Sequence, residues 1–142
     1  MTDGEISKYM KTISGFMIGS FALWCLIILY QLIAGIFTIF WGYGVGTLLL
    51  MVYNLIGVIR YAKNIDVIRK CHTVEEAEAV VKYFENSIPV CWVFMFVNLI
   101  FGGVLGFVGN LYDLILAYQV KKKKAELLGQ KTTFYGSYRE EE

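Results

Sequence analysis

The chain has 142 residues, of which 57% are apolar, 16% aromatic and 18% charged, and its formal net charge is +1. This abundance of Leu, Ile, Val, Phe and Tyr, with a single Pro, excludes a disordered or low-complexity chain, and the near-zero net charge leaves no nucleic-acid footprint. The charges are segregated: four lie in residues 1–11, ten in 60–85, ten in 121–142, and Asp113 is the only other one.

Residues 1–12 read as a short N-terminal segment on the cytoplasmic side. The next 48 residues, 12–59, carry no charge. About 20 apolar residues cross a bilayer as a helix, so the chain is expected to be an integral membrane protein. One helix over this run would be about 70 Å long, against a hydrocarbon core of about 30 Å. The run is broken at Trp41-Gly42-Tyr43-Gly44-Val45-Gly46, where Gly42, Gly44 and Gly46 are expected to form a turn. Helix 1 is placed at 13–40 and helix 2 at 45–69, together a first helical hairpin with a cytoplasmic extension. The run is far longer than a signal-peptide core and no small-x-small site follows it, so an uncleaved anchor is expected. Gly15 and Gly19 have the GxxxG spacing that permits close helix packing.

Residues 70–87 read as a cytoplasmic linker. Thr73-Val74-Glu75-Glu76 fits a capping box, and Val74, Ala77, Val81, Phe84 and Ile88 recur at three and four. A short amphipathic helix over 74–86 is therefore expected, folded back on the bundle, simply connecting helices 2 and 3, or docked on a partner.

A second hairpin is expected over 88–128, turning at Gly102, Gly103 and Gly106. Its spans would be short, and the rival is a single span over 88–112. Basic residues collect on the cytoplasmic side. Four spans place all 13 Lys and Arg there, with both termini cytoplasmic, whereas three would put Lys121 to Lys124 outside. An internal repeat supports four: Ile39-Phe40-Trp41-Gly42 resembles Leu99-Ile100-Phe101-Gly102, and Val52-Tyr53-Asn54-Leu55-Ile56 resembles Leu111-Tyr112-Asp113-Leu114-Ile115. Lys121, Lys122, Lys123 and Lys124 form a polybasic exit that serves as a topology anchor or attracts anionic lipid. Residues 129–142 read as a disordered tail.

The fold expected is thus all-α: four transmembrane helices as two hairpins, plus the amphipathic helix. Within the spans the polar side chains are Gln31, Asn54, Asn98, Asn110 and Asp113. A carboxylate in a span is a functional-site hypothesis by default. Asn54 and Asp113 occupy equivalent repeat positions and could meet across a pseudo-twofold axis. The alternative role of these groups is to hold helices together by hydrogen bonds.

Enzyme signatures are absent. His72 is the sole histidine, so a His-Glu-x-x-His site cannot form, and Cys71-His72 lacks ligand spacing. No metal and no cofactor is expected. The cysteines make no disulfide framework. Three functions are compatible with these features. The first is a non-enzymatic subunit, scaffold or accessory component with a membrane-protein partner or a second copy. The second is a small transporter or channel using Asp113 with Asn54, and the third a holin-like or immunity-type protein. A bacterial plasma membrane is expected, because the chain is short and carries no organelle address.

Overall fold

A computed structural model describes residues 1–129. These residues form α1 (Asp3–Phe37), a 3-10 turn (Ile39–Trp41), α2 (Tyr43–Lys70), α3 (Val74–Phe101), α4 (Gly103–Lys122) and a one-turn α5 (Lys124–Leu127). No strand occurs among the described residues. The four long helices are each long and apolar enough to cross a membrane. The segment 88–120 therefore contributes to two such helices: it holds all but the last two residues of α4 and the second half of α3.

Helix α1 starts ten residues earlier than its apolar run implies. Thr2 caps it by accepting from the Glu5 N–H, while Glu5 accepts from the Thr2 N–H at 2.8 Å. Helix α3 corrects the expectation of a separate amphipathic helix. The Thr73 capping box forms, but the helix it starts runs on unbroken to Phe101. Pro89 does not stop it. Pro removes one backbone donor and crowds the preceding turn, yet α3 is continuous through Pro89, which stands on its exposed side. The Ser87 hydroxyl bonds the Phe84 carbonyl at 2.7 Å in the turn before it. Helix α3 has 28 residues and α4 has 20.

The turns use glycine where the backbone enters the left-handed region, at Gly42 (φ 74°) and Gly103 (φ 68°). Gly44, Gly46 and Gly106 are not turn residues but lie inside α2 and α4. They are small because the neighbouring chain comes close. A side chain at Gly44 would strike the Gly35 carbonyl and the backbone of Thr38 and Ile39, one at Gly46 would meet the Phe101 ring, and one at Gly106 would meet Asn98. Gly102 stands between α3 and α4, against Gln31 and Asn98. The matching turn motifs fold differently, since Ile39–Trp41 is a 3-10 turn whereas Leu99–Phe101 completes an α-helix.

Helix α1 packs mainly along α2, and α3 along α4, with lesser α1–α4 and α2–α3 contacts closing the bundle. The buried side of each helix follows spacings of four and three. On α1 it comprises Ile6, Met10, Ile13, Met17, Ser20, Trp24, Ile27 and Gln31; on α3, Ala77, Val81, Phe84, Ile88, Cys91, Met95 and Asn98. Leu50, Asn54, Val58, Tyr61, Ile65 and Ile68 continue it on α2, and Gly106, Asn110, Asp113, Ala117 and Val120 on α4. A 3.5-residue repeat is the seam of a left-handed coiled bundle. Asn54 and Asp113, 59 residues apart, hold equivalent places on α2 and α4. The stripes of α1 and α3 do not coincide at the offset of 60 that aligns Ile39 with Leu99: Ser20 and Trp24 correspond to Val80 and Phe84, whereas the α3 stripe runs through Val81 and Phe84.

The apolar core is concentrated at the charged end, where Ile6, Met10, Ile68, Cys71, Ala77, Phe84 and Leu127 belong to one buried cluster. There the Met1 ammonium donates to the Glu126 carbonyl at 3.1 Å, and Lys124 reaches Glu85 of α3 at 3.0 Å.

Candidate functional site

The seam carries two polar layers. In the first, three helices meet through amides. Gln31 Nε2 donates to Asn98 Oδ1 at 3.0 Å, and Asn54 Nδ2 donates to both Asn98 Oδ1 and Gln31 Oε1 at 3.0 Å. Asn98 Nδ2 donates in turn to the Phe94 carbonyl at 3.0 Å, as does Asn110 Nδ2 from α4 at 3.3 Å. All four amide side chains are buried. Each sits at a seam position, so the helices cannot slide along one another without leaving amides unpaired.

The second layer is about 10 Å nearer the charged end, the rise of the seven residues from Asn54 to Tyr61. There Asp113 of α4 accepts from two residues of α1: the Ser20 hydroxyl and, at 2.7 Å, the Trp24 indole N–H. The Tyr61 hydroxyl of α2 is buried beside Ser20 and Asp113, near enough to interact with both though outside hydrogen-bond geometry with either. Asp113 is thus level with the first charged turn of α2, which begins at Arg60.

The expected meeting of Asn54 with Asp113 does not take the form of a direct bond. Asn54 is committed to Gln31 and Asn98, and Asp113 to Ser20 and Trp24. The two residues do line one cavity of about 160 Å³, together with Trp24, Tyr53, Gly57, Val58, Tyr61, Val90, Cys91, Phe94 and Asn110. Tyr53 and Phe94 stack across α2 and α3 with ring centroids 4.3 Å apart. Ser20, Trp24 and Tyr61 escaped the sequence reading. The signal that could have found them is their place on the four-three stripe, where Ser20 is, with Ser14, one of two serines in the apolar part of α1.

The GxxxG pair divides. A side chain at Gly15 would meet open space, so Gly15 serves no helix contact in this fold. At Gly19 it would come within 3.1 Å of the Tyr112 hydroxyl, which bonds the Phe16 carbonyl at 3.0 Å. Gly109, unremarked in the sequence, lets Ile27 and Trp24 approach α4.

At the link between α2 and α3, the His72 and Thr73 N–H groups donate to Glu76 and hold its carboxyl below the usual range. The His72 ring is held above its usual range, first by the Lys70 carbonyl at 3.0 Å and then by Glu76. Burial pushes the Cys71 thiol up to about 11, which leaves it protonated at neutral pH and poorly reactive. Among the described residues no group of three or more His, Cys, Asp and Glu side chains could hold a metal. The four exit lysines divide: Lys121 and Lys122 are exposed on the last turn of α4, Lys123 pairs with Glu126 at 2.6 Å, and Lys124 pairs with Glu85. Residues 130–142 of the expected tail lie outside the described residues.

Comparison with protein-family models, with curated proteins and with solved structures finds no match.

Proposed function

We propose that this chain is a small multi-pass membrane protein acting as a non-enzymatic subunit, scaffold or accessory component of a membrane assembly. In this reading the two helical hairpins insert fully, with both termini and the α2–α3 connection in the cytoplasm of a bacterial cell. The observation that carries it is the contrast between the bundle's two surfaces. The outer face around the turns is apolar, with Phe40 96% and Trp41 87% exposed. The inner seam spends its polar side chains on one another: Gln31, Asn54 and Asn98 bond among themselves, and Asp113 bonds Ser20 and Trp24. Such groups lock a bundle in register, which suits a component that presents a fixed surface to other proteins in the bilayer. The Lys and Arg residues of α1 and α2 and the exit lysines share the end where Met1 meets Glu126, as the positive-inside rule requires.

Two measurements test this reading. In a chain whose own cysteines are replaced, a cysteine at Gly42 should react with a membrane-impermeant maleimide in intact cells, and one at Lys8 only after lysis. Native mass spectrometry from mild detergent should then show a stoichiometric partner or a homo-oligomer. A clean monomer would count against an assembly component.

A second reading, a small transporter or channel, is favoured by one observation: Asp113 and Asn54 line the same cavity. Flux in proteoliposomes tests it. Activity unchanged by Asp113→Asn would remove the carboxylate from any transport step.

A further inference from the structure

The cavity between the two polar layers is chemically uneven. At one end stands the Asp113 carboxylate. Its partners, Ser20 and Trp24, are neutral, and among the described residues no cation pairs with it. A charge taken out of water without a counter-ion is costly. The Tyr61 hydroxyl stands next to it with no partner of its own. At the other end are the amides of Asn54 and Asn110. Between them the walls are aromatic and aliphatic: Trp24, the stacked Tyr53 and Phe94, Val58 and Val90.

We propose that this cavity is a binding site for a small organic ammonium cation, with its charged head on Asp113 and Tyr61 and its apolar body along the aromatic wall. Three features select this class. The lone carboxylate calls for a positive charge, and the unpaired tyrosine oxygen accepts an N–H. Aromatic faces attract cations. The volume, about 160 Å³, is that of about five waters at roughly 30 Å³ each. A bare inorganic ion would leave most of it empty, whereas an ammonium group with a short alkyl chain fills it. A route in lies at Gly57, which lines the cavity and faces open space where a side chain would be. The site is independent of whether the protein works alone or as a component, and of whether it moves what it binds.

The test uses the full chain in nanodiscs with Trp41→Phe and Trp92→Phe, so that Trp24, bonded to Asp113, alone reports. It is titrated with n-hexylammonium and, as the uncharged match, with 1-hexanol. The ammonium should give a saturable change in Trp24 emission, and the alcohol a response at least about tenfold weaker. Asp113→Asn should weaken ammonium binding at least about tenfold. Gly57→Leu, which fills the open side and keeps the carboxylate, should abolish it, and this variant decides the matter if Asp113→Asn does not fold. Equal responses to amine and alcohol, binding unchanged in Gly57→Leu, or the same saturable change with sodium or potassium chloride at matched concentration would each overturn the proposal.

Discussion

The Trp24 indole N–H lies 2.7 Å from a carboxylate oxygen of Asp113 and ties α1 to α4. Trp24→Phe keeps most of the ring and removes this donor. It should lower stability by about 1 kcal/mol, since polar contacts between membrane helices average about 0.6 and reach about 1.7. Ser20→Ala should act similarly, and the two together should lose less than their sum if Asp113 then takes up a proton. Unfolding in mixed micelles of increasing SDS fraction, followed by circular dichroism, gives these values. A neutral Trp24→Phe would mean that the bond adds nothing to the bundle.

The amide layer should respond more strongly. Asn98 accepts from both Gln31 and Asn54, so Asn98→Leu strands two buried donors at once. A loss of about 1–3 kcal/mol follows from leaving buried groups unsatisfied. Replacing Gln31, Asn54 and Asn98 together by leucines should recover much of that loss while loosening the register. Cross-linking between paired cysteines on α1 and α3 would read that loosening as a broader set of permitted pairs.

Two glycines should respond with opposite sign. A methyl group at Gly44 meets the Gly35 carbonyl and the Thr38–Ile39 backbone, so Gly44→Ala should destabilise by about 1–3 kcal/mol. Gly15 faces open space inside α1, so Gly15→Ala should stabilise by about 0.5–1 kcal/mol through helix preference alone. If Gly15→Ala instead broke a homo-oligomer, the GxxxG motif would act between copies of the chain rather than within it.

The link between α2 and α3 predicts a pH slope. His72 has Nδ1 3.4 Å from Glu76 as well as 3.0 Å from the Lys70 carbonyl, and both raise its folded pKa above the ordinary 6.5. Its contribution is therefore complete below the unfolded pKa and is lost as pH rises through the folded one. Thermal stability should fall slightly between pH 6 and 8, and His72→Gln should flatten that slope. The group is fully exposed, so the effect is small. Equal slopes in both proteins would show that the pair does not contribute.

Two apolar helices could be read from the 48-residue uncharged run that stops before Arg60, once its glycine break is seen, and the second pair from the bias that puts every Lys and Arg on one side. Which side of each helix turns inward could not. In a soluble bundle the outer face is polar and the stripe stands out. Here Leu26, Leu29 and Ile33 face outward from α1 while Ile27 faces inward, so hydropathy has almost no contrast around the axis. Gln31, Asn54, Asn98, Asn110 and Asp113 stood out as polar, yet their partners depend on how far one helix is shifted along the next. That shift is set by close contacts such as Gly35 on Gly44 and Gly106 on Asn98, which no spacing rule reveals.

The distribution of the core has a consequence for motion. The large apolar cluster gathers at the charged end, whereas toward the turns the seam is held by small residues and amides. Opening free energies follow local packing. The four helices should therefore behave as tongs, clasped at the charged end and free to part at the tips. Amide hydrogen exchange would be slowest around Met10 and Phe84 and would quicken toward Phe40 and Phe101.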